Sequence, residues 1–363
     1  MSNARNISAL NTVEVGATTD QTKADLNAIG VSGGRKNLII NGGFDVWQRG
    51  TSFTSITTSD YRADRFRSAI SNLGTWTITK DSNGPSGFEN SIKYACTVVD
   101  TAPDPANYIF MHHKIEGQDL YQIKKGTAQS ESVSLQFRIK SNKTGDVQVN
   151  LRDRDNTRHI GSVVTISASD TWETKVITFV GDATGALVAD ESSGLEVEWW
   201  LNAGTNFTSG AVPTSWESAA NTDRGAGTTL NLGGSTSDYI NITGVQLELG
   251  SVATDFEHAT SYGETLALCQ RYYWKTDTIV HFNMSRYYSS AGNAFAYFSF
   301  PNRMRADPSF SHGGTWSAGV GYGGVPILQT AYLDGVTLKS TRALNANETI
   351  YMSNGHFIFD SEL

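Results

Sequence analysis

Val133-Ser134-Leu135-Gln136-Phe137-Arg138-Ile139-Lys140 decides the fold class. Apolar residues hold every odd position and polar ones every even position, a period of two that buries one face of a strand. The stretch Ser141-Asn142-Lys143-Thr144-Gly145 then reads as a turn, and Val147, Val149 and Leu151 alternate with Gln148, Asn150 and Arg152 in a second run. Such a pair reads directly as a hairpin. A third run places Leu195, Val197, Trp199 and Leu201 on one face and Glu196, Glu198 and Trp200 on the other.

In the run Tyr239–Leu249, Ile240 and Ile242 occupy even positions, whereas Val245, Leu247 and Leu249 continue at odd ones. The frame slips at Thr243-Gly244. A β-bulge at Gly244 restores the buried face, because one extra residue re-aims every later side chain and glycine accepts the bulge's backbone angles. Several antiparallel strands joined by glycine-rich connections predict an all-β, antiparallel jelly-roll sandwich over 37–260. No 20–50-residue repeat supports a solenoid or β-helix.

The flanks differ. Residues 1–36 carry no aromatic residue and support at most a short helix from Asp20, as cap, to Ile29, with Gly30 ending it. This segment is either an arm that orders against a partner or a flexible leader. At Ser261, Ser261-Tyr262-Gly263-Glu264 has capping-box spacing before Leu266, Leu268 and Cys269, predicting a short helix. The rest of 261–363 alternates aromatics (Phe295, Tyr297, Phe298, Phe300) and clusters glycines from Gly313 to Gly324, read as a small β domain with a mobile loop.

Composition narrows the chemistry. The chain has 363 residues, with 10% aromatics and only 18% charged side chains, which suits a folded, polar-surfaced protein. A net charge of −8 without a basic stripe excludes a nucleic-acid backbone as partner. Cys96 and Cys269 form no CxxC pair and cannot make a four-ligand zinc site; they read as buried thiols or as one long-range disulfide. Met1–Val15 lacks the apolar core of a signal peptide, and no run reaches the length of a membrane helix. The expectation is synthesis in a reducing cytosol, no membrane insertion, and another route to the outside.

A sugar site needs a flat aromatic face and polar groups that leave no hydroxyl unpaired. Alternation makes Trp200, beside Glu196 and Glu198, one candidate; the other reading is a tryptophan packed under a loop or a neighbouring subunit. Trp216, in a long Gly/Asn/Thr segment, is a second. Catalytic motifs are absent: there is no GxSxG, HExxH or phosphate loop, and adjacent His112-His113 point to opposite faces of a strand. Glu196 and Glu198 share a face, as a retaining glycosidase pair would, but such a pair on a strand is ordinarily solvated. Asp153-Arg154-Asp155-Asn156 lacks the glycine and distal glutamate of an EF-hand and reads as a polar turn. No catalytic residue is assigned.

Three stretches together carry a resemblance. Asn37-Leu38-Ile39-Ile40-Asn41-Gly42-Gly43-Phe44-Asp45-Val46-Trp47-Gln48-Arg49-Gly50, with Ala63-Asp64-Arg65-Phe66, resembles the opening of a carbohydrate-binding-module-like jelly roll of phage tail fibres and receptor-binding proteins. Ile242–His258 running into Ser261–Tyr273 resembles its closing strand and helix. Phe300–Pro308 and Phe359-Asp360-Ser361-Glu362-Leu363 resemble the small domain that follows. The resemblance implies a homotrimeric, virion-borne fibre made in the host cytoplasm, joined to other tail proteins through 1–36 and touching a host cell-surface glycan. It makes 261–363 the candidate distal tip, so Trp274, Tyr287, Tyr288 and Trp316 join the glycan candidates, while Trp47 is read as core. It also suggests one cofactor, a structural calcium ion at Asp45 and Glu248; hydrogen-bonded or solvated carboxylates are the other reading.

Overall fold

The computed structural model describes residues 35–259, 261–276, 282–286, 293–318, 326–343 and 349–363. The expected helix from Asp20 to Ile29, nearly all of the 1–36 segment, and Tyr287 and Tyr288 lie outside them. Contacts divide the chain into two compact units. The first holds most of 35–258, and the second holds 46–51, 62–65 and 259–363. No helix among the described residues is long and apolar enough to cross a membrane.

The first unit contains eleven strands: β1 (Ser52–Tyr61), β2 (Phe66–Asp81), β3 (Ser91–Val98), β4 (Tyr108–Glu116), β5 (Val133–Ser141), β6 (Gly145–Asp153), β7 (Arg158–Ile166), β8 (Glu173–Phe179), β9 (Ser193–Ala203), β10 (Glu217–Ser218) and β11 (Tyr239–Leu249). All pairings are antiparallel, and the order β10-β7-β6-β9-β4-β2-β3-β11-β5-β8 folds into two layers at β2. Residues 66–72 of β2 pair with β4, and residues 75–81 pair with β3. Gly74, at φ +66°, stands where the partner changes, and its missing side chain admits the Val98 carbonyl. One strand thereby serves both layers of a jelly-roll sandwich.

The period-two residues point where the sequence put them. Leu135, Phe137, Ile139, Val147, Val149, Val197, Trp199 and Leu201 are all buried. Phe137 of β5 meets Trp199 of β9 edge-on across the layers, with ring centroids 5.8 Å apart. Truncating either to alanine would cost about 3–5 kcal/mol. Ser68 and Tyr94 exchange a 2.7 Å hydrogen bond between β2 and β3, so the tyrosine hydroxyl enters the core satisfied.

The expected hairpin is corrected. β5 pairs with β11 and β8, and β6 pairs with β7 and β9, so the two strands lie in opposite layers. The connection between them crosses the sandwich, entering β6 through Gly145 at φ +145°. The bulge is present: Thr243 pairs with Arg138 and Gln246 with Gln136, three residues against two, with Gly244 at φ +61°.

In the second unit residues 262–270 form helix α1 (Tyr262–Gln270), where the Ser261 hydroxyl accepts from the Glu264 amide at 3.3 Å, one half of a capping box. Seven strands follow: β12 (Tyr273–Lys275), β13 (Phe282–Arg286), β14 (Asn293–Ser299), β15 (Ser309–Ala318), β16 (Ile327–Tyr332), β17 (Gly335–Ala343) and β18 (Thr349–Asp360). They form one antiparallel sheet, β12-β18-β13-β14-β17-β16, with β15 on the other edge of β18. Its core is Met304, Val336, Leu338, Phe357 and Phe359. Residues 313–318, expected in a mobile loop, belong to β15, because pairing with β18 satisfies their backbone.

The short motifs that carried the resemblance converge here. Arg49 reaches Asp360 and Glu362, each at 3.2 Å, and Arg65 pairs with Glu362. Both guanidiniums lie over tyrosine rings, Arg49 on Tyr273 at 3.5 Å and Arg65 on Tyr272 at 3.4 Å. Asp64 receives the Gln48 amide and side chain at 2.7 Å each. Burial, only partly offset by Arg49, raises the Asp64 carboxyl to about 6. Cys269 is buried in the same unit and Cys96 in the first; both are free thiols.

Candidate functional site

The outer face of the β4-β9-β6-β7 layer carries the chemistry predicted around Trp200. Register sets His112, Glu198 and Asn150 side by side on three strands, with Arg152 beside Glu196 and His159. Of the two readings of Trp200, the structure shows the tryptophan packed under a loop. Trp200 is 0% exposed: its ring stacks on Phe110 at 4.4 Å, and Phe207 and the Arg224 guanidinium cover it at 5.3 and 4.7 Å. Residues 204–230 roof the part of the face around Trp200, Gln148 and Gly161. The Gly161 amide bonds Pro213 at 2.6 Å, and the Gly227 amide bonds the Gln148 side chain at 2.7 Å. Gly225 passes so close to Trp200 that a Cβ there would lie 3.2 Å from the indole.

Under this roof Glu198 is a fixed anion. It accepts from Arg224 Nη2 at 2.6 Å, Trp200 Nε1 at 2.8 Å and Arg152 Nη1 at 2.9 Å. Burial alone would raise its pKa, but the two guanidiniums override that and hold the carboxyl far below the glutamate range. Glu196 likewise lies within 2.5 Å of His112 Nδ1 and 3.3 Å of Arg154, which outweigh its burial and lower its pKa. A glycosidase acid needs a raised pKa and a proton to give. These two carboxylates are tuned the opposite way, for holding charge.

The other candidates are dispersed. Trp216 is half-buried; its indole donates to the Val180 carbonyl at 2.8 Å, and Lys125 Nζ lies 4.9 Å from its ring. Trp274, expected at an exposed tip, is half-buried and stacks on Phe298 and Phe359 at 5.5 Å each, against the core of the second unit. Trp316 lies in β15. Asp45 accepts from Asn90 at 2.8 Å, whereas Glu248 is bonded by Gln246 and, through backbone and hydroxyl, by Thr254. Neither belongs to the group of three described residues whose ligand atoms converge.

An aromatic surface that sequence reasoning did not single out lies on the second unit. Ala296, Phe298, Phe300, Val336, Leu338 and Ala331 point into its core, so register turns Tyr297, Ser299, Gly335, Thr337, Thr330 and Tyr332 to the opposite face. Tyr297 is 58% and Tyr332 50% exposed. The Tyr297 hydroxyl end lies over Gly335, where a Cβ would come within 2.5 Å of it. Glycine therefore lets the ring lie flat along the strand, with Tyr332 directly across the same glycine. Two phenol rings beside hydroxyl side chains match the apolar and polar edges of a pyranose. The signal was available: apolar residues at 296, 298 and 300 require 297 to face outward.

No family model and no curated protein matches the chain. Solved structures with a similar strand arrangement include the enzymatically active domain of tailspike protein 4 from bacteriophage CBA120, at 12% identity and TM-score 0.30, covering 59% of this chain and 21% of that one. A putative sugar-binding protein from Bacteroides thetaiotaomicron aligns at 12% identity and TM-score 0.33, covering 59% of this chain and 100% of that one. The module TmCBM61, solved with β-1,4-galactotriose, aligns at 11% identity and TM-score 0.28, covering 59% and 99%. This chain thus spans about a fifth of the tailspike domain.

Proposed function

We propose that the protein is a non-enzymatic bacteriophage tail-fibre subunit that contacts a host cell-surface glycan weakly and gains strength from multivalency. The observation that carries this reading is the Tyr297–Gly335–Tyr332 face, an aromatic and hydroxyl surface on which both tyrosines are at least half exposed. The sequence resemblance of 37–50, 63–66, 242–258, 261–273, 300–308 and 359–363 to tail-fibre modules supports the virion setting. The charge-locked state of Glu196 and Glu198 supports passive contact over hydrolysis. In this reading the subunit is a homotrimer, is made in the host cytoplasm, and joins other tail proteins through residues 1–36. Three weak sites presented together bind far better than one, so each face needs little affinity of its own.

Purified protein should compete with phage particles for adsorption to host cells, and Tyr297→Ala/Tyr332→Ala should compete less. Size-exclusion chromatography with light scattering should give a trimer; a stable monomer at micromolar concentration counts against the assembly. Competition that is absent in a folded trimer favours the second reading, a purely structural fibre or adaptor. An accessory module of a carbohydrate hydrolase would instead be found fused to, or co-purifying with, a catalytic domain.

A further inference from the structure

We propose that His159, Glu217 and Asp223 form a divalent-cation site of the zinc class, which fastens the 204–230 roof to strand β7. One ligand atom from each lies within 4.8 Å of the other two. The placement is built by backbone: β10 pairs with β7 so that Glu217 stands directly across from His159, and the Ala219 amide extends the ladder to Thr157 at 2.9 Å. Asp223 arrives from a helical turn at 221–223, one carboxylate oxygen held by the Ala211 amide at 3.2 Å and the Thr222 hydroxyl at 3.0 Å.

The independent observation is the imidazole. His159 is 0% exposed, its Nδ1 has no hydrogen-bond partner, and its Nε2 has only a long contact to Glu217. A buried polar group left unsatisfied is destabilising, and a bound cation would satisfy one of the two ring nitrogens. Nε2 lies 3.5 Å from Glu217 Oε1. Two ligands on one tetrahedral zinc, each with a bond of about 2.1 Å, are separated by about 3.4 Å. The gap already has that size.

The donor set selects the metal. One imidazole with two carboxylates suits zinc, cobalt or manganese better than calcium, which prefers six or more oxygens. Two carboxylates neutralise a dication, and the nearby Arg152 charge is already taken up by Glu198. A fourth position remains for water or an outside donor.

The test uses the full, tag-free chain, stripped with chelator and titrated with Zn²⁺ by calorimetry, with Co²⁺ as spectroscopic probe. One equivalent should bind, raise Tm, slow amide exchange across 204–230, and give the visible bands of low-coordinate cobalt. Glu217→Gln, at a residue 46% exposed, should leave the fold intact and weaken binding at least about tenfold. His159→Gln should do the same. Absence of stoichiometric binding to the folded parent overturns the site. So does binding that both variants retain, or Ca²⁺ and Mg²⁺ binding as tightly as Zn²⁺.

Discussion

Replacing Glu198 with glutamine should destabilise the first unit by about 3 kcal/mol. The side chain is wholly buried and serves Arg152, Arg224 and the Trp200 indole at 2.6–2.9 Å. Glutamine has the same size, so packing is kept, but its amide offers one acceptor oxygen where the carboxylate's two oxygens accept from Arg152, Arg224, Trp200 and Asn150. Removing one partner of a buried ion pair costs about 3–5 kcal/mol. The low end applies, because Arg152 and Arg224 are 13% and 12% exposed and can partly rehydrate. For a unit of this size the calorimetric Tm should fall by about 6–12 °C. Amide exchange across 204–230 should rise, since Arg224 ties that segment to the sheet. The folded pKa of Glu198 is depressed, so its stabilisation is present above the ordinary value of 4.5 and is lost as pH falls below it. The gap between parent and variant must therefore narrow on acidification from about pH 7 to about pH 3.5. A gap below about 1 kcal/mol at neutral pH, or one that stays constant with pH, refutes the reasoning.

Asp64 should show the opposite sign. Its folded pKa is raised to about 6 from 3.8, so the stability it contributes when protonated is lost as pH rises across that window, by roughly 3 kcal/mol; carbon-13 titration of its carboxyl, and a flatter stability profile in Asp64→Asn, check this. Gly244→Val should cost about 1–3 kcal/mol or more, because φ is +61° and a Cβ would meet the Phe88 ring at 2.7 Å; chemical denaturation measures it. Trp200→Phe should leave any glycan affinity unchanged while lowering Tm, because the ring is buried against Phe110 and Phe207; an affinity loss with unchanged Tm would contradict that placement.

Sequence periodicity made the inward residues legible, since alternation in 133–139, 147–151 and 195–201 follows from one buried face per strand. It could not name each strand's neighbour. A short glycine-ended connection between β5 and β6 looks the same whether it closes a hairpin or crosses a sandwich, and here it crosses. Trp200 shows the same limit: alternation separates it from Trp199, but a face can be turned outward and still be roofed. The roof depends on Phe207 and Arg224, and the Arg224–Glu198 pair spans 26 residues. The capping box at Ser261 and the bulge at Gly244 were readable because each rests on local backbone chemistry. The motif at 47–50 was recognisable as a string, yet its chemistry needs Asp360 and Glu362, over 300 residues away.

The most direct measurement is an array of bacterial surface polysaccharides probed with the purified chain and with Tyr297→Ala/Tyr332→Ala. The account predicts weak, selective retention that fades in the variant, while the polysaccharides keep their length. Equal retention by parent and variant, none by a properly folded parent, or shortening of any polysaccharide would contradict it.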